Sequence, residues 1–152
     1  MTYLTADARQ QLLDDLALAI EELALALAVL GAAYELLDER TADRMEEDLF
    51  RGVQTAFGRA QRTHAGFAER YGLQGRAFAQ PSPGLPSQGA RAFLERAGEA
   101  IDEADAALAE LQDSLLPVEV GDPELRAGLA EVRSLVGDLQ GRARQFVRTF
   151  GR

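Results

Sequence analysis

Leu13-Asp14-Asp15-Leu16-Ala17-Leu18-Ala19-Ile20-Glu21-Glu22-Leu23-Ala24-Leu25-Ala26-Leu27-Ala28-Val29-Leu30 is the stretch whose reading decides the fold. Large apolar residues fall at Leu13, Leu16, Ile20, Leu23, Leu27, Leu30, Tyr34 and Leu37, so their spacing alternates three and four without a break. That period winds one apolar stripe along a helix and is the seam of a helical bundle or coiled coil. With Leu13 at heptad position a and Leu16 at d, the flanking e and g positions are small (Ala17, Ala24, Gly31; Ala19, Ala26, Ala33) and let neighbouring backbones come close.

The back of the same helix is unusual. Leu18 and Leu25 take position f, which points furthest from a core, and Val29 and Leu36 take position c. A solvated helix places charge there. A fully buried Leu or Val is worth about 1.5–3 kcal/mol, so four left in water together are a liability. Three arrangements cover them: a central helix overlaid by residues 72–89, a homodimer, or a docked partner protein. The homodimer is the expected one, because a two-fold interface is the commonest way to hide such a face.

Three more helices follow. The expected boundaries are about 5–39, with Thr5 as N-cap, then 41–71, 89–116 and 122–150. Asp122-Pro123-Glu124 is a strong start signal: a capping acid, a proline in the first turn, then another acid. Between the second and third helices, residues 72–89 hold Gly72, Gly75, Gly84 and Gly89 among Pro81, Pro83 and Pro86, which no helix sustains. The fold expected is all-α: one domain over 1–152, an antiparallel up-down-up-down four-helix bundle with coiled-coil-like heptad seams and one long Pro/Gly-rich loop.

The chain has 152 residues, enough to bury a core without staples. Cysteine is absent, which removes disulfides and thiolate chemistry. All 16 basic residues are arginine, a bias that points to a GC-rich bacterial genome. No basic segment precedes an apolar one at the N-terminus, and Leu23–Tyr34 supplies about two-thirds of the ~18 apolar residues a membrane span needs. The location expected is the cytoplasm, with no membrane contact.

A net charge of −9 speaks against general nucleic-acid binding, but the charge is uneven. Residues 1–48 hold 12 acids and 3 arginines; 49–91 hold 1 acid and 6 arginines; 92–125 hold 10 acids and 1 arginine; 126–152 hold 2 acids and 6 arginines. In an up-down-up-down order Arg62, Arg70, Arg76, Arg91, Arg142, Arg144 and Arg148 gather at one pole. There they would meet an acidic protein surface, a phosphate-bearing ligand, or the acidic pole of a second copy.

Catalytic and cofactor motifs are scarce. A di-iron bundle needs Glu-x-x-His pairs, and the single His64 offers none, so no metal and no cofactor is expected. One spacing stands out: Arg59-Ala60-Gln61-Arg62-Thr63-His64. Its Arg-x4-His pattern resembles the motif of HEPN-type ribonucleases, on these two positions alone. That resemblance implies a phosphodiester-acting enzyme, with Arg59 stabilising phosphate charge and His64 in acid–base catalysis. The reading favoured by the residues themselves is a non-enzymatic interaction or scaffold protein that self-associates through Leu18, Leu25, Val29 and Leu36.

Overall fold

The computed structural model describes residues 2–150, which are all-α with no strand among them. The elements are α1 (Thr2–Leu36), α2 (Glu39–Met45), a π-helical turn (Glu46–Phe50), α3 (Arg51–Arg70), a 3-10 turn (Pro86–Gln88), α4 (Ala90–Asp113), α5 (Leu116–Glu119) and α6 (Pro123–Thr149). The second expected helix is therefore α2, the π turn and α3 run together. It starts earlier than the expected boundary at Thr41, capped by Asp38, whose carboxylate accepts the Thr41 N–H at 2.9 Å. Thr5 lies inside α1, because that helix starts before it. At the third helix the chain breaks at Ser114 and resumes in α5, where Pro117 occupies the first turn that tolerates it. Asp122 caps α6 as its sequence announces, accepting the Leu125 N–H at 2.7 Å.

Contacts fix the direction of every long helix. Arg9, near the start of α1, donates to the Val120 carbonyl at 3.1 Å, just beyond α5, and its guanidinium lies 3.9 Å over the Tyr71 ring at the end of α3. Arg70 meets Asp122 at 2.7 Å, so the start of α6 shares that end. At the opposite end, Arg91 of α4 donates to the Phe150 carbonyl at 2.7 Å, and Arg44 lies over Phe146. Between the two ends, Arg59–Glu131, Arg133–Asp105 and Gln140–Asp102 make α6 antiparallel to both α3 and α4. The order is up, down, down, up.

The up-down-up-down expectation is thus corrected. Residues 72–89 do not turn back on themselves; they run the length of the molecule alongside α1. An extended chain of that length reaches roughly 55 Å at 3.1 Å per residue, more than the about 36 Å rise of the 24-residue α4.

Packing makes α1 the central element. Every residue from Leu23 to Leu30 except Leu25 is buried. A helix is apolar all round only when it is covered all round, and α1 is flanked by α3, by α4 and by the 72–89 segment. The core joins Leu13, Leu16, Ile20, Leu23, Leu27 and Leu30 to Phe67, Phe93, Ile101, Leu108, Leu129, Val136 and Phe146. α3 and α6 approach closely where each contributes a glycine: a Cβ on Gly128 would collide with the Thr63 side chain, and one on Gly52 would lie 2.6 Å from Leu139 Cδ2.

Candidate functional site

The four residues read as one outer face have three different fates. Val29 is fully buried, because c positions in the middle of α1 face neighbouring helices rather than water. Leu25 is half-buried against the core. Only Leu18 and Leu36, 57% and 43% exposed, stand free. The stripe is not continuous, and the covering segment is the crossover itself.

This crossover is a strap. Leu73 N–H bonds to the Ala68 carbonyl at 2.8 Å as the chain leaves α3. Arg76 then pairs with Glu21 of α1 at 2.8 Å and lies 4.5 Å over the Phe78 ring. Phe78, the one aromatic residue in this Pro/Gly-rich run, meets His64 of α3 edge to face, with ring centroids 5.2 Å apart at 88°. Past Phe78 the strap is exposed from Ala79 to Gln88 apart from Pro83. Between the strap, α1 and α4 lies an open groove of about 430 Å³, lined by Leu25 and bordered by Glu21, Arg76, Phe78, Pro81, Ser82 and Arg96.

His64 is buried at 2% exposure. Burial pushes its imidazole below the usual histidine range, and the Arg76 charge adds to this; Asp14 and the Leu13 backbone pull the other way without overcoming them. Arg59 faces elsewhere. Its Nε donates to Glu131 of α6 at 2.6 Å and its Nη1 to the Thr63 hydroxyl at 2.9 Å. Five residues along a helix turn a side chain by about 140°, so Arg59 and His64, drawn together by their spacing in sequence, lie on different sides of α3.

The single arginine pole does not form, because α4 starts at the end opposite to the one an up-down-up-down order gives it. Arg62, Arg70 and Arg76 belong with the α3 exit. Arg91, Arg142, Arg144 and Arg148 lie at the other end. Most are neutralised locally: Arg70 by Asp122 and Glu124 at 2.7 Å each, Arg91 by Glu95 at 3.9 Å, Arg142 by Asp138 at 3.1 Å, Arg144 by Asp102 at 3.9 Å. The Asp122 carboxyl is pushed up by burial, but Arg70, the Leu125 N–H and the Tyr71 hydroxyl together hold it below its usual range. The acidic end of α4, which opposes its own helix dipole, lies at the same end of the molecule as the α3 exit, but the Arg70 guanidinium there is taken by Asp122 and Glu124 of α6.

Other exposed aliphatics escaped the sequence reading. Leu4 is 62% exposed, and it shares the f column of α1 with Gln11, Leu18 and Leu25, one heptad apart. Leu115, which caps α5, and Val118 within it, at the same end as the α1 start, are 67% and 72% exposed. The signal for Leu4 was present: the heptad column reaches it two steps back from Leu18, past Gln11. Among the described residues, the Leu4–Leu36 helix is also long and apolar enough to cross a membrane, although 67% of its most apolar window is buried by the rest of the chain. No protein-family model matches the sequence, and neither a curated protein nor a solved structure does.

Proposed function

We propose that the protein is a non-enzymatic interaction or scaffold protein, a four-helix bundle with coiled-coil-like seams that associates with a second copy of itself. The observation that carries this reading is the exposed file Leu4–Gln11–Leu18 on α1, with its two leucines 62% and 57% exposed. The file is symmetric about Gln11. Laid against its own copy antiparallel, it sets Leu4 against the partner's Leu18 and Gln11 against Gln11, as an isologous two-fold contact requires. A cytoplasmic location goes with this reading, supported by the burial of 67% of the most apolar window of α1 within the chain.

The test is light scattering up to about 0.5 mM, within the range where weak dimers form. The wild type is expected to move from 16.5 kDa towards twice that mass as concentration rises. Leu18→Glu is expected to hold it at the monomer mass, and Leu36→Glu, outside the file, to leave dimerisation intact. A wild type that stays monomeric over the whole range overturns the reading.

A further inference from the structure

We propose that the groove between the strap, α1 and α4 is a binding site for a small amphipathic oxyanion, an anionic head on a short aliphatic body, with the strap as its lid. The site is distinct from the Leu4–Leu18 file and does not depend on self-association.

Its walls divide by chemistry. Leu25 from α1 and Ala77, Phe78, Ala79 and Pro81 from the strap form an apolar side, and Arg76 and Ser82 from the strap, Arg96 from α4 and the Glu21 carboxylate of α1 border the same space of about 430 Å³. That volume suits a small molecule. Leu25 occupies the outermost heptad position of its helix; it is half-buried against the core and its remaining surface lines this groove.

The cations are available. Arg96 makes no hydrogen bond or ion pair among the described residues; its one recorded partner is the Glu22 carboxylate, whose charge it favours while burial and Glu103 act against it. Arg76 lies over the Phe78 ring, and its ion pair is with Glu21, with side chains 51% and 49% exposed. Such a solvated pair is weak. A carboxylate or phosphate brought in by an apolar tail can displace Glu21 and bridge the two arginines, which favour oxyanions through their fork of donors. Pro81, Pro83 and Pro86 stiffen the strap, so closing it over a ligand costs less chain entropy than closing a glycine loop.

The experiment is calorimetric titration of the full chain with octanoate, with octyl phosphate as the other oxyanion source and octanol as the uncharged control. Saturable 1:1 binding of octanoate or octyl phosphate is expected, and the tighter of the two identifies the head group. Octanol and the variant Arg96→Gln should each bind about tenfold more weakly or worse, the scale of a lost charged hydrogen bond. Glu21→Gln should bind more tightly, because the competing carboxylate is gone; a merely structural role for Glu21 predicts the reverse. Both substitutions are at exposed positions, and unchanged thermal melts would confirm intact folding. No saturable binding of either anion, octanol binding as well as octanoate, or an indifferent Arg96→Gln would each overturn the proposal.

Discussion

At the residue scale His64 is the most constrained titratable group. Its ring is buried between α3, Leu13 of α1 and the Phe78 edge, with Asp14 and Arg76 as the charged groups facing it. Its folded pKa is depressed, so the unfolded chain binds a proton more readily than the folded one, and stability must rise with pH through that window. The stabilisation is complete above the unfolded value of about 6.5 and is lost as pH falls below it towards the folded value. Thermal melts between pH 7 and pH 5 should therefore show a falling Tm in the wild type and a flatter profile in His64→Gln, whatever the absolute stability of that variant. Equal slopes would mean that the imidazole is not held neutral by its surroundings. The same burial explains why the Arg-x4-His spacing misleads: sequence records the interval between Arg59 and His64, not the turn of the helix that sends one to Glu131 and the other under Phe78.

At the scale of elements, the directions of α3 and α4 are the claim most open to a direct test. With no native cysteine, spin labels can be placed at will. Glu69 ends α3, Asp113 ends α4 and Glu95 is near the α4 start, all at exposed positions. The latter two are separated along α4 by a rise of about 27 Å at 1.5 Å per residue. Labels on Glu69→Cys and Asp113→Cys should lie closer than labels on Glu69→Cys and Glu95→Cys; the reverse order of distances would restore an up-down-up-down chain. Helix identity was legible in the sequence because three-and-four spacing and the Asp122-Pro123 cap are local signals. Direction was not, because residues 72–89 are long enough either to turn back or to cross, and neither Pro81 nor Gly84 distinguishes the two. The fate of Leu25 followed from that single choice, since the crossing strap lies beside it, whereas Val29 is buried by the neighbouring helices.

At the scale of the whole molecule, the up-down-down-up order decides what kind of force can join two copies. Had the arginines gathered at one pole and the acids at the other, assembly would be pole to pole and salt would dissolve it. Arg70, Arg91, Arg142 and Arg144 are instead matched by nearby acids, leaving little charge polarity to drive such contact. The Leu4–Leu18 file behaves in the opposite way. Its two leucines per copy, at about 1.5–3 kcal/mol each if fully buried, supply roughly 6–12 kcal/mol against an association cost of about 4–15 kcal/mol, so the dimer is weak. Acids oppose it further: the antiparallel two-fold sets Asp7 of one copy near Asp15 of the other, and each copy carries a net −9. Raising salt shortens the screening length from about 10 Å at 0.1 M to about 3 Å at 1 M, which removes that repulsion and leaves the apolar contact. The dimer Kd measured by sedimentation should therefore fall, severalfold, between 0.05 M and 1 M sodium chloride. A Kd that rises with salt would assign the assembly to the arginines and take it away from Leu4 and Leu18.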